Sequence, residues 1–398
     1  MKHHRNVLTL CMGLLGFKVL SFTNPPEGTL VASEPNSVSP SAEILDRTRD
    51  TSVSPTNTVR DSTREKVDII VKSLAEKGRC RITLKVTPPT GDSFYAGYDG
   101  RSGQVITDFN QPFEIGSCSK MFTATSILQL VEQKKLNLED KLSDILDRPE
   151  LLEGLMETDS ADYLGEIRLK NLLNHTSGLP EYFLDDDLME IGVHGDSTLR
   201  FTPDQLVGMA KRLHEPQFKP GALFKYTNTN YVLLGMLIEQ YTSMSFQEYI
   251  RKNILERAGL AETYFPSIEP IPGRAAGHWQ GKPSQMPATL AGAAGEIVST
   301  LDDMDLFIRS WARGDFYITK AMMEEVRSSY YNPMGGGITY GLGVVNIGNA
   351  QGHAGQTFGF QSYMGALPNG TSVVFGIDDA NESAWNLAMI LAELLKTL

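Results

Sequence analysis

Apolar residues recur along this chain at two different spacings. Val67, Ile70, Val71 and Leu74 fall three and four positions apart, the pattern of a helix that buries one face, and Gly78 is placed to end it. Immediately afterwards Cys80, Ile82, Leu84 and Val86 alternate with Arg81, Thr83 and Lys85, which predicts a half-buried strand. "SFYAGYDG" predicts a second strand, and "PPTGD" between the two makes them a hairpin. The other end of the chain repeats the theme: "YGLGVVNIG", "AGQTFGFQSYMGALP" and "TSVVFGIDD" read as strands, the last two joined by "PNGT", and "AWNLAMILAELLKTL" reads as a closing helix. From Ser117 to about Trp311 the pattern is mainly helical. The expected fold class is therefore α+β: an antiparallel sheet built from both chain ends, flanked by terminal helices, with a mainly helical region inserted.

The first 64 residues do not join this pattern. "MKHHR" followed by the apolar "NVLTLCMGLLGF" predicts a signal peptide over residues 1–22, and hence an exported protein. Lys18 interrupts the run, which argues against a stable membrane span. Because no acidic residue precedes Glu27, an organellar presequence is the alternative. Residues 23–64 are rich in Ser, Thr, Pro, Asn and Asp without a hydrophobic period, so they bury too little to offset the entropy of ordering and read as a disordered leader. The folded domain is expected over residues 65–398.

Composition changes this picture only by exclusion. A formal net charge of −12 repels phosphate, so nucleic acid is not an expected partner. Cys80 and Cys118 both sit among apolar residues, where a free thiol behaves as a small hydrophobe, although one disulfide is arithmetically possible.

Three stretches carry candidate chemistry. In "FEIGSCSKMF" a buried helix starts near Ser117, and Lys120 returns to the same face one turn later while Cys118 does not. A serine hydroxyl needs a base, and a lysine serves as one only when burial or a nearby cation lowers its pKa. Ser-x-x-Lys also recurs by chance, with an N-cap serine and an ordinary lysine as its simplest explanation. In "FKYTNTNYVLLG", Tyr226 and Asn228 project to one side of an extended turn; by themselves they fit a polar loop before a helix. In "GHAGQTFGF", His353 lies on a strand whose glycines 352, 355 and 359 would admit a ligand close to the backbone.

Taken together and in this order, Ser117-x-x-Lys120, Tyr226-x-Asn228 and His353-Ala354-Gly355 resemble the penicillin-recognising serine hydrolases, most closely class C β-lactamases and serine D-alanyl-D-alanine carboxypeptidases. "LLNHTSGLPEY", "KPGALFKYTNTNYVLLG", "AAGEIVSTLDDM" and "YGLG" extend the resemblance over about residues 65 to 398. It implies that Ser117 attacks a carbonyl and is acylated, that Lys120 and Tyr226 share the proton transfers, and that Asn228 orients Lys120 and the substrate. It also implies that His353 and Gly355 line the substrate strand and that the backbone N–H groups of Ser117 and Gln356 hold the oxyanion. No metal or organic cofactor is implied. His175 and Ser177 of "HTSGL" are expected to form a structural turn and not a catalytic pair.

Ala354 departs from the pattern, because relatives that bind a substrate carboxylate carry threonine or serine there. Losing a hydrogen bond to a charged group removes about 1.5–3 kcal/mol, which argues against efficient β-lactamase activity. The expectation is a hydrolase acting on a small D-amino-acid peptide or amide, such as a D-alanyl-D-alanine carboxypeptidase or D-amino-acid amidase. A carboxylesterase with the same residues is the alternative. A non-catalytic binding protein retaining the fold is the alternative of another class, and the retained Ser117, Lys120, Tyr226 and Asn228 argue against it. Oligomeric state is left open.

Overall fold

The computed structural model describes residues 55–158, 160–184, 191, 195–213, 216–279, 281–317, 319–328, 332–335 and 338–380. The expected signal peptide, the first part of the leader and the closing helix lie outside these residues. Order begins earlier than the pattern predicts. Helix α1 spans Pro55–Gly78 and takes in the last ten positions assigned to the leader. Its buried face is the expected one, with Val67, Val71 and Leu74 turned inward. Gly78 is not the residue that ends it by its conformation: Arg79 takes the left-handed backbone, with φ at 49°.

Nine strands form one antiparallel sheet: β1 (Arg81–Thr87), β2 (Phe94–Asp99), β3 (Gln104–Val105), β4 (Asn332–Gly335), β5 (Ile338–Tyr340), β6 (Val345–Ile347), β7 (Ala350–Gln356), β8 (Gln361–Ala366) and β9 (Ser372–Ile377), in the spatial order β3-β2-β1-β9-β8-β7-β6-β5-β4. The two chain ends meet where β1 pairs with β9, Ile82 opposite Ile377 and Leu84 opposite Phe375. The run "YGLGVVNIG" contributes two strands, since the chain reverses between Tyr340 and Val345 through a turn in which Gly341 N–H donates to Val344 O.

Strand alternation sorts the sheet's side chains into two cores. Ile82, Leu84 and Val86 of β1, Tyr363 of β8, and Val373, Phe375 and Ile377 of β9 join Val71 and Leu74 of α1 on one face. Met364 and Val374 point the other way, into the larger core shared with the inserted helical region. Cys80 belongs to the first core and Cys118 to the second. Both are free and buried, and burial pushes each thiol up to about 12.

The inserted region is built on α2 (Ser119–Glu132), α3 (Asn228–Thr242) and α4 (Leu301–Arg313). Helix α2 is buried on all sides from Ser119 to Leu130, as a central helix must be. It packs against α3 and against β7, while α4 lies across β1, β8 and β9. A polar bridge fastens α4 to the sheet. Asp305 accepts from Thr87 Oγ1 at 3.0 Å and from Ser372 Oγ, and Lys85 Nζ lies 2.8 Å from Asp302 and 3.3 Å from Asp305. No described helix is long and apolar enough to cross a membrane.

Candidate active site

Ser117 stands in a single 3-10 turn, Gly116–Cys118, that runs directly into α2. It is half-exposed, whereas Lys120, one turn further, has no exposed surface at all. The lysine Nζ makes three contacts: Ala294 O at 2.7 Å, Asn228 Oδ1 at 2.8 Å and Ser117 Oγ at 3.0 Å. The carbonyl and the amide oxygen can only accept, so they take two of its N–H bonds. The third direction, toward Ser117, is then where a neutral lysine carries its electron pair. Burial pulls the lysine pKa down to about 7, against the opposing pull of Glu181 and Cys118. A substantial neutral fraction therefore exists near neutral pH.

Tyr226 and Asn228 reach this point from the start of α3. Thr227 between them is extended, with φ −146° and ψ 131°, which turns both side chains to the same side. The Tyr226 ring covers Lys120, Nζ standing 4.8 Å from its centroid, and Tyr231 flanks it at 5.4 Å. The Tyr226 hydroxyl is enclosed without a hydrogen bond of good geometry, and the Ser117 hydroxyl is the polar side chain that faces it. Burial holds its pKa well above the usual phenol value. It is a neutral phenol and can relay a proton, but it is not a phenolate base.

The "HTSGLPEY" segment frames the same corner. His175, in left-handed backbone with φ at 57°, accepts from Thr227 N–H at 3.2 Å and contacts Asn230 Nδ2 at 3.0 Å, and its carbonyl accepts from Lys225 N–H. Ser177 is fully buried and donates to Asn230 Oδ1 at 2.6 Å. His175 clamps the backbone on either side of Tyr226, Ser177 holds the Asn230 amide, and the two belong to a structural turn.

Strand β7 closes the site from the sheet. Pairing with β6 ends at Gly352, which leaves the far half of that edge open toward the Ser117 turn. There the Gly116 Cα abuts the Gln356 peptide, so the N–H groups of Ser117 and Gln356 come from adjoining backbone. Two expectations for β7 need correcting. The glycines are required by protein packing on the side where a Cβ would lie: a Cβ on Gly352 would meet Met364 O at 1.9 Å, one on Gly355 would meet Ile115 O at 1.9 Å, and one on Gly359, past the end of β7, would meet Gly277 Cα at 3.0 Å. His353, expected to face substrate, is only 3 % exposed, with Nε2 3.0 Å from Tyr340 Oη and Nδ1 2.5 Å from Ala354 O. The carbonyl requires Nδ1 to carry the proton, so Nε2 accepts from Tyr340. Burial, with Lys120 nearby, pulls the imidazole down to about 3. It is neutral, and neither nitrogen is available to a substrate.

A family model described as Beta-lactamase matches residues 89–389. The chain belongs to the beta-lactamase family. Ser117, Lys120, Tyr226, Asn228, His353 and Gln356 all fall inside the matched stretch. Among beta-lactamase-family relatives, penicillin-binding protein 4* of Bacillus subtilis is 29% identical over 331 residues, covering 76% of this chain and 68% of the relative. A D-stereospecific amidohydrolase from Streptomyces sp. has a structure with TM-score 0.68 at 25% identity, covering 79% of this chain and 94% of that one. D-amino acid amidase from Ochrobactrum anthropi SV3, at 22% identity and TM-score 0.69 over 83% of this chain and 100% of that one, shares the fold. The beta-lactamase family is one of serine hydrolases, and the arrangement around Ser117 has the parts that acyl transfer requires.

Three parts of the site had no role in the sequence reading, although they lie inside stretches that carried the resemblance. They are the Ala294 carbonyl, the Tyr340 phenol and the Glu181 carboxylate. A carbonyl leaves no mark in sequence, and a lone tyrosine or glutamate beside a turn has no pattern that marks it. Among the described residues no group of three or more His, Cys, Asp or Glu side chains gathers to hold a metal ion.

Proposed function

We propose that this protein is an acyl-enzyme hydrolase with Ser117 as nucleophile, and that it cleaves D-configured amino acid amides or short peptides without gripping a substrate carboxylate. The carrying observation is the setting of the Lys120 amine: two fixed acceptors take its N–H bonds and direct the electron pair of its neutral form at Ser117 Oγ, 3.0 Å away.

In this reading Lys120 takes the Ser117 proton as Oγ bonds to the substrate carbonyl carbon. The Ser117 and Gln356 N–H groups receive the oxyanion. Collapse of the tetrahedral intermediate breaks the C–N bond, and the proton held by Lys120 passes through the neutral Tyr226 hydroxyl to the leaving amine. Water then enters along the same proton path, attacks the ester and restores Ser117.

The substrate class rests on β7 and on the relatives. Ala354 offers no hydroxyl, and His353 is neutral with both nitrogens engaged, so this strand presents no cation or hydroxyl to a carboxylate. An amide needs neither. The 25% identical Streptomyces structure is of a D-stereospecific amidohydrolase, which supports D-configured amides. Ala354 equally favours a carboxylesterase as the second reading, since esters form the same acyl-enzyme.

The test is a panel of D- and L-phenylalanine amide, a D-Ala-D-Ala peptide, p-nitrophenyl acetate and benzylpenicillin, with intact-mass detection of the acyl-enzyme and a Ser117→Ala control. Turnover of the D-amide well above its L-isomer, abolished in S117A, is expected. Preferential turnover of the acetate ester assigns an esterase, and preferential turnover of the D-Ala-D-Ala peptide shows that a carboxylate is recognised after all. Undiminished turnover by S117A rejects Ser117 as nucleophile.

A further inference from the structure

We propose that Glu181 is a positioning residue of this site: its carboxylate holds the Asn228 amide in the one orientation that lets Lys120 direct its electron pair at Ser117. This rests on the nucleophile reading above.

Glu181 lies in the "LPEY" segment that wraps the start of α3, and it is buried. Pro180 O just before it accepts from Thr227 Oγ1 at 3.2 Å and Thr229 Oγ1 at 2.7 Å, which fixes the segment against the helix. One carboxylate oxygen accepts from Phe183 N–H at 3.0 Å. The other accepts from the Asn228 backbone N–H at 2.6 Å and from Asn228 Nδ2 at 3.3 Å. Burial raises the Glu181 pKa, and the Phe183 and Asn228 donors and Lys120 oppose that rise; every hydrogen-bond partner is an N–H donor, so a protonated carboxyl would waste its proton.

The consequence runs through the amide. A side-chain amide has an oxygen at one corner and a nitrogen at the other, and only its surroundings decide which faces where. A carboxylate accepts and cannot donate, so it holds Nδ2 on its own side and turns Oδ1 toward Lys120. Reversed, the amide would set N–H against the lysine N–H, and the lysine would be free to turn its electron pair away from Ser117. Glu181 touches neither Ser117 nor the reacting carbonyl; it acts through Asn228.

Glu181 also sets the charge felt by Lys120. The other titratable groups around that amine are Cys118 beside it on the entering turn, His175, Tyr226 and Tyr231 near the start of α3, and His353 on β7. Burial keeps the thiol and phenols protonated and the imidazoles neutral. Glu181 is the neighbour whose carboxylate form raises the Lys120 pKa, and Lys225 is a further cation that feels it.

The experiment follows the pH dependence of Ser117 labelling by a fluorophosphonate probe, which needs no knowledge of the natural substrate. Glu181→Gln keeps the size but can present either end of its amide to Asn228. We expect its plateau labelling rate to fall about 10- to 100-fold, as small misplacements of a reacting pair do, and the midpoint of its rising limb to move to lower pH. Glu181→Asp, which keeps the charge, should recover part of the plateau and hold the wild-type midpoint, and it serves as well if E181Q folds poorly by circular dichroism. In E181Q/N228A the two losses should not multiply, because both act through one amide. Folded E181Q with the wild-type plateau and midpoint overturns the proposal, as does full multiplication in the double variant. Labelling that persists in S117A instead removes the nucleophile reading, and the proposal with it, by a result that E181Q alone cannot produce.

Discussion

Gly116 and Gln356 meet backbone to backbone: a Cβ built on Gly116 would lie 2.7 Å from both N and O of Gln356, and the glycine φ is +50°. Only a residue without a side chain lets the Ser117 turn settle against the Gln356 backbone of β7. Gly116→Ala is therefore expected to lose stability through the left-handed backbone alone by about 1–2 kcal/mol. Its labelling rate should fall by about 100-fold or more as the N–H pair separates. Urea unfolding and probe labelling measure the two effects. A normal labelling rate in a destabilised variant would dissociate this contact from the chemistry.

The pH profile has a definite sign. Only neutral Lys120 can accept the serine proton, and burial sets its pKa at about 7. Labelling of Ser117 should rise on a single ionisation through that region and level off above it. Stability should move the same way. An unfolded lysine keeps its proton to about pH 10.4, so between about 7 and that value the unfolded chain binds more protons and folding strengthens as pH rises. Below about 7 both states are protonated and the cost of burying the ammonium stands in full. Replacing Lys120 by methionine should abolish the labelling limb and flatten this part of the stability curve.

Ala354→Thr tests the substrate assignment. A hydroxyl on β7 able to bond a carboxylate contributes about 1.5–3 kcal/mol, or about 10- to 150-fold in rate. Acylation by benzylpenicillin, followed by intact mass, should accelerate toward that range while amide turnover changes little. No gain with penicillin would mean that something other than the missing hydroxyl governs carboxylate binding here.

Asp305 fastens α4 to the sheet through Thr87, Ser372 and Lys85, and it is 3 % exposed. Asp305→Ala leaves buried donors and part of a buried charge without a partner, an effect of about 3–5 kcal/mol. The urea midpoint should fall by a corresponding amount with an unchanged slope. A changed slope would show that α4 detaches before the rest unfolds.

Much of the architecture was legible in the chain because strand and helix periods differ and each had to match a buried face. The alternation from Cys80 to Val86, the α1 stripe and the strand-like runs near the C-terminus map onto described elements, except that the run read as one strand in "AGQTFGFQSYMGALP" divides between the end of β7 and β8, with a turn at 357–360. Boundaries were less legible. Nothing in "PTNTVRDST" signals a helix by apolar spacing, yet α1 begins at Pro55, and the turn between β5 and β6 is hidden inside an apparently continuous run.

For the site, sequence by itself determined which chemical groups exist and which share a local face: Ser117 with Lys120 by helical return, Tyr226 with Asn228 across one extended residue. Tertiary structure alone decided what those groups are. Lys120 has its ammonium form disfavoured because it is buried beneath Tyr226 between Ala294 and Asn228; His353 is a core residue kept neutral by burial, with Tyr340 and Ala354 at its nitrogens; and Gly355 is required because Ile115 O fills the place of a Cβ. Local pattern reports spacing, whereas protonation and access depend on desolvation and hydrogen-bond partners brought together from remote parts of the chain.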